Sequence, residues 1–199
     1  MKRVVWKGSP LTAPVPVVLV TCGDAENPNI IKVAWTGTVC SDPPMTYISV
    51  RPERYSYGLI KEKGEFCINF APAELFKKVD YCGIFTGRKV NKAEKCGFSF
   101  EPASAVSVPI IDRCPLALEC RVRDVIPLGS HDMFLAEIIA TDLDPGLIDE
   151  NGKLRLERAR LISYSHGDYL SPGKRLGSFG CSSVKKKSKG IRKDEKNND

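Results

Sequence analysis

Two arginines, a serine and an indole crowd into one short stretch of this chain. Residues 29–60 read NIIKVAWTGTVCSDPPMTYISVRPERYSYGLI. Arg51 and Arg54 stand just upstream of Ser56, and Ser56 opens a helical pattern. A helix N-terminus offers unpaired amides and the positive end of the helix dipole, so it favours an anion. Arginine adds a planar fork that matches phosphate. Trp35 supplies a flat wall. After it, Gly37 permits close backbone approach between two small hydroxyl residues, Thr36 and Thr38. Such a set suits a flat aromatic ligand that carries a phosphate. The same residues also fit a plain serine cap beside solvated arginines, with a tryptophan packed at a strand end.

Other reactive side chains are scattered. Lys92 falls among Arg88, Lys89 and Lys95, a basic cluster that could face a phosphate or water alone. His131 sits in Gly129-Ser130-His131-Asp132, where a surface role is the ordinary one. Neither a Ser-His-Asp nor a Cys-His arrangement can be read from spacing. No G-x-G-x-x-G follows the first strand, so a Rossmann dinucleotide site has no support. The eight cysteines have no C-x-x-C pair and no regular spacing, and read as reduced, packed thiols. Close metal-ligand pairs are missing, and with only two histidines no metal site is expected.

These groups must be positioned by short elements. Val15 to Cys22 is β-branched and apolar and predicts a buried strand. Residues 30–35 predict a second strand that returns along it. Asp42-Pro43-Pro44 stops the run, and Met45 to Val50 predicts a third strand. Ser56 to Lys63 predicts a helix with Ser56 as N-cap and Gly64 as its end. Glu65 to Phe70 alternates as a strand. Glu74 to Gly83 has helical spacing with Gly83 as C-terminal cap, and Asn91 to Gly97 allows a turn or two of helix. From Leu116 the pattern predicts a long antiparallel hairpin turning at residues 127–132. Its Glu119, Arg121 and Arg123 share a half-exposed face. Many short strands with few helices favour a barrel or sandwich over a parallel sheet.

At 199 residues the chain supports one core and one domain. The net charge of +6 is concentrated at the end: residues 185–199 hold seven Lys/Arg and three Asp/Glu, leaving +2 for the rest. The folded part is therefore nearly balanced, and no nucleic-acid face is indicated. We read residues 1–184 as the domain and residues 185–199 as a disordered basic tail. The apolar run at Val15 is too short for a secretory core or membrane span, so the chain reads as cytoplasmic.

Over residues 15–180 the chain resembles the flavin reductase-like, FMN-binding split-barrel family and its flavoredoxin-like branch. The resemblance rests on PVPVVLVT at the first strand and on Asn29…Ala34-Trp35. It continues through Ser41-Asp42-Pro43-Pro44, Arg51…Tyr55-Ser56-Tyr57…Ile60 and Glu65-Phe66…Asn69. It implies a mainly β split barrel with a few short helices, forming a homodimer with noncovalent FMN near the interface. By position, Asn29 and Trp35 would border the flavin. Thr36, Gly37, Thr38, Val39, Cys40 and Ser41 would line its ring, with Cys40 either a packed thiol or a redox partner. Ser56, where many members carry threonine, would hold the phosphate between Tyr55 and Tyr57, with Arg51 nearby and Lys92 as a second contact. His131 would touch the cofactor, and Tyr164 or Tyr169 would close the site. The implied activity is an NAD(P)H-dependent flavin reductase, with NADH or NADPH as donor and no side chain acting as catalyst. The alternative is an FMN electron carrier served by a ferredoxin-like redox protein. A non-redox flavin store is a third reading.

Overall fold

The structure, a computed structural model, describes residues 1–183. Its main sheet has seven antiparallel strands. They are β2 (Val18–Cys22), β3 (Asn29–Val33), β4 (Thr36–Ser41), β5 (Pro44–Val50), β6 (Glu65–Phe70), β9 (Leu116–Pro127) and β10 (Asp132–Leu143). Their order is β3-β2-β6-β9-β10-β5-β4. Three helices accompany it: α1 (Tyr55–Lys63), α2 (Phe76–Ile84) and α3 (Lys92–Cys96). A small sheet joins β1 (Val15–Pro16), β11 (Ser163–Ser165) and β12 (Asp168–Leu170), and β7 (Phe100–Glu101) pairs with β8 (Ile110–Ile111).

Connectivity forces this sheet to curl. β3 and β4 stand at opposite edges, yet only Ala34 and Trp35 separate them. Laid flat, six inter-strand steps of about 4.8 Å would set the edges roughly 29 Å apart. Three peptide steps from Val33 to Thr36 reach at most about 11 Å. The edges must therefore approach, and β3 lies in contact with β5 across the seam. The result is the mainly β, split-barrel architecture expected from the sequence.

β2 is buried along its whole length because both of its faces are covered. Val18 and Val20 join Ile48, Ile60, Phe66 and Phe134 inside the barrel. Val17 and Leu19 pack outside it with Ile30, Leu75, Val79 and Ile162. Five cysteines, Cys22, Cys67, Cys82, Cys96 and Cys120, are buried, and all eight thiols are free. Among the described residues no helix is long and apolar enough to cross a membrane. The proposed basic tail lies outside the described residues.

Several local expectations need correction. The first predicted strand breaks at Val17: β1 leaves for the small sheet and β2 stays in the barrel. Trp35 ends no strand but sits in the link between the sheet edges. Arg54, not Ser56, occupies the N-cap position of α1, and Ser56 lies inside the first turn. Gly83 lies within α2, whose C-cap is Phe85. Glu119 is not on an open face. It is fully buried, because residues 102–109 fold over that side of β9. Its carboxylate accepts from the Ser104 amide and hydroxyl at 2.7 and 2.6 Å, and from the Ala105 and Val106 amides at 2.6 and 3.0 Å. Burial alone would raise its pKa, but these donors outweigh burial and hold it below the usual range.

Glu119→Gln turns amide hydrogens toward those donors and should cost about 2–4 kcal/mol at pH 7 in urea unfolding. A depressed carboxyl stabilises above its unfolded value of about 4.3 and loses that contribution as pH falls through the folded value. The gap between wild type and variant should therefore narrow in acid. A gap that stays constant or widens there would contradict the clamp.

Candidate functional site

The link that closes the barrel also lays β3 beside the start of α1 and the end of α2, and two adjoining pockets form there. The first is lined by Ile31, Arg54, Tyr55, Ser56, Cys82, Phe85, Thr86, Gly87 and Lys92. The second is a cleft of about 180 Å³ between Trp35, Arg51, His131 and Tyr164, floored by β3 residues including Lys32. Ile31 and Arg54 belong to both, so the pockets form one trough.

The first pocket is polar and carries positive charge from Arg54 and Lys92. Ser56 is buried in the first turn of α1, and its Oγ accepts from Asn29 Nδ2 at 2.7 Å. With a lone pair engaged by Asn29, the hydroxyl proton can turn toward the Cys22 sulfur or toward the pocket. Asn29 is held in turn by Cys22, whose Sγ lies 3.7 Å from both Asn29 Nδ2 and Asn29 O. Burial pushes the Cys22 thiol up to about 11, so it stays protonated and serves as a weak donor. A Cβ on Gly87 would strike Asn29 Oδ1 and come within 2.8 Å of the Tyr55 ring. Glycine there lets the loop close on this cradle.

Lys92 completes the pocket. The residue is only 4% exposed, and its ammonium donates to the Cys82 carbonyl at 3.1 Å. No carboxylate pairs with it among the described residues. Burial lowers its pKa, which measures the cost of a desolvated charge with no counter-ion. An ammonium has three donors, so two are left for an incoming anion. Lys92 comes from α3, where Asn91 caps the helix by accepting from the Glu94 amide at 3.2 Å.

The cleft end is aromatic and cationic. The Trp35 and His131 rings lie 4.3 Å apart between centroids at 45°. Trp35 remains 43% exposed, an unusual state for a large indole beside a core. His131 Nδ1 is 3.0 Å from Ser130 Oγ, leaving Nε2 for another partner. Burial first, and then the charge of Arg51, holds the His131 imidazole below its ordinary value, so it is neutral at pH 7.

The trough gathers Trp35, Arg51, Tyr55, Ser56, Lys92, His131 and Tyr164. Asn29 is placed differently from expectation. It lies behind Ser56 as its hydrogen-bond partner and is absent from the cleft wall. Tyr57 donates to Asp132 Oδ2 at 2.7 Å and ties α1 to β10. Tyr169 stands one layer behind Tyr164, with ring centroids 5.3 Å apart. Thr36, Gly37, Thr38, Val39, Cys40 and Ser41 line neither pocket. They form β4, the edge strand immediately after Trp35, with Thr38, Val39 and Ser41 exposed. Cys40 Sγ donates to the Asp42 carbonyl at 3.4 Å. Sequence reasoning overlooked Gly83, Gly87 and Lys32. The two glycines read as loop or cap residues, and Lys32 as the polar side of an alternating strand.

Residues 11–164 match the flavin reductase-like domain. The chain belongs to the flavin reductase-like family. It is 34% identical to an uncharacterised protein of Archaeoglobus fulgidus over 126 residues, 63% of this chain and 71% of that one. It is 26% identical over 112 residues to the FMN reductase (NADH) RutF of Pseudomonas syringae, covering 54% of this chain and 61% of that one. Among solved structures, the flavoredoxin of Desulfovibrio vulgaris superposes with a TM-score of 0.85 at 27% identity, over 92% of this chain and all of that one. The flavoredoxin of Methanosarcina acetivorans gives 0.83 at 26% identity, again over 92% of this chain and all of that one.

In an NMR titration the His131 ring should show a midpoint below 6.5, and Arg51→Gln should raise it by removing a nearby positive charge. A wild-type midpoint above that value would contradict the buried, cation-flanked environment.

Proposed function

We propose that this chain binds FMN noncovalently along the trough and acts as a flavin oxidoreductase using NADH or NADPH. One observation carries this reading: a buried hydroxyl and an unpaired buried ammonium adjoin an aromatic cleft through shared walls. A phosphate on a flat ring system satisfies both ends at once. The FMN reductase (NADH) among its relatives supports the reductant.

When bound, the flavin supplies the electron-transfer chemistry. The chain does the rest. Ser56 donates its hydroxyl proton and Lys92 its free ammonium donors to the phosphoryl group. Asn29 and Gly87 fix Ser56 in place, and Arg54 bridges the two pockets. Trp35 and the neutral His131 wall the ring end, and Tyr164 narrows it. No side chain has to act as acid or base. A homodimer would cover Trp35 and the free edge of β4, where Val39 is half exposed.

The likeness to two flavoredoxins favours a second reading, an FMN carrier that takes electrons from a protein donor. Anaerobic titration separates the two. The purified protein should be yellow and bleach with dithionite, and NADH or NADPH should bleach it within seconds. Bleaching by dithionite and a reduced iron–sulfur protein, but by neither pyridine nucleotide, would select the carrier. A folded, colourless protein that ignores added FMN would end both.

A further inference from the structure

Lys32 lines the cleft from the middle of β3, and three other elements converge on its amine. Its Nζ donates to the Tyr169 hydroxyl of β12 at 2.7 Å. That hydroxyl donates onward to Asp80 Oδ1 of α2 at 2.8 Å, and Lys32 Nζ itself lies 3.7 Å from the same oxygen. The rings of Tyr164 on β11 and Tyr169 on β12 each stand 5.2 Å from the ammonium. Space for its stem comes from Gly83 inside α2, where a Cβ would collide with Lys32 Cε and lie 3.1 Å from Cδ. The side chain is 19% exposed.

A surface lysine needs none of this. Here an aromatic pair, a hydroxyl, a carboxylate and a glycine hold one positive charge at a fixed point of the cleft. Among the described residues, one of its three donors is spent in a hydrogen bond. Asp80 lies beyond hydrogen-bond distance and is itself 42% exposed, so its charge only partly offsets the ammonium. Lys32 helps to line the cleft, so its charge acts on the cleft's occupant at short range.

The geometry points to Lys32 as the residue that sets the charge preference of the ring end, favouring the anionic reduced flavin over the neutral oxidised one. This rests on the flavin reading above. Reduction of the neutral ring by two electrons and one proton leaves one negative charge, and a fixed cation in a partly desolvated cleft stabilises that form selectively. Lys92 and Ser56 meet the phosphate, whose charge does not change with ring oxidation. Lys32 acts instead on the difference between the two redox states.

The test is anaerobic redox titration of the FMN-loaded full chain against a reference dye, with dithionite as reductant. It compares wild type, Lys32→Met and Asp80→Asn. Lys32→Met keeps the stem and removes the charge. It should weaken binding of reduced relative to oxidised FMN at least about tenfold, a fall in potential of about 30 mV for a two-electron couple. Asp80→Asn keeps the ammonium and removes its counter-charge, so the potential should rise. A merely structural tie would not produce shifts of opposite sign. An unchanged potential in Lys32→Met with FMN still bound, or shifts of the same sign in both variants, would overturn the role of Lys32 alone. If Lys32→Met does not fold, the rise in Asp80→Asn decides. Failure of the wild type to take up FMN would overturn the flavin reading itself.

Discussion

The whole site depends on a two-residue link. Ala34 and Trp35 connect strands at opposite edges of a seven-stranded sheet, so the sheet cannot lie flat. Closure sets β3 against β5 and leaves the indole at the seam. It also fixes which parts of the chain meet there: β3, the entry to α1, the exit of α2 and the β9–β10 hairpin that carries His131. A longer link would relax the barrel and separate Trp35 from His131. At the seam the Trp35 indole stays 43% exposed.

Two kinds of polar burial organise the structure, and they differ in a telling way. Glu119 is fully buried, but four donors satisfy it, so it stabilises the fold and needs nothing more. Lys92 is nearly as buried, yet among the described residues it has one carbonyl partner and no carboxylate. Desolvation without compensation is costly, and a chain retains it where a ligand restores the balance. Ser56 follows the same pattern, with a lone pair engaged by Asn29 and a proton that can turn toward the pocket.

Much of this was legible in the sequence, because it rests on local rules. Apolar patterning found β2, β3, β5, β6, β9 and β10 but not β4 or the short strands, Asn91 and Gly97 bounded α3, and Arg51, Ser56 and Trp35 marked the trough. Long-range closeness was not legible. Gly87 matters because it passes over Asn29, and Gly83 because it passes over Lys32; no local pattern encodes either approach. Asn29 has a type that suits ligand contact, and the structure engages its Nδ2 with Ser56, a pairing the sequence does not encode. Glu119 alternates with apolar neighbours as an exposed residue would, and only the fold of residues 102–109 shows it to be a buried clamp. Segment Thr36–Ser41 follows Trp35 in sequence but lies outside the walls of both pockets, running on as an edge strand from Thr36.

The central claim is that the Ser56–Lys92 pocket is a phosphate site serving a flavin in the adjoining cleft. Comparing FMN with riboflavin, which lacks the phosphate, tests it directly by fluorescence titration of the wild type and Lys92→Met. Charge-assisted contacts of this kind are worth roughly 1.5–3 kcal/mol each, so the wild type should prefer FMN by about a hundredfold or more. Lys92→Met should lose most of that preference while its affinity for riboflavin is nearly unchanged. Equal affinity of the wild type for the two flavins, or a preference that survives removal of the ammonium intact, would contradict the account.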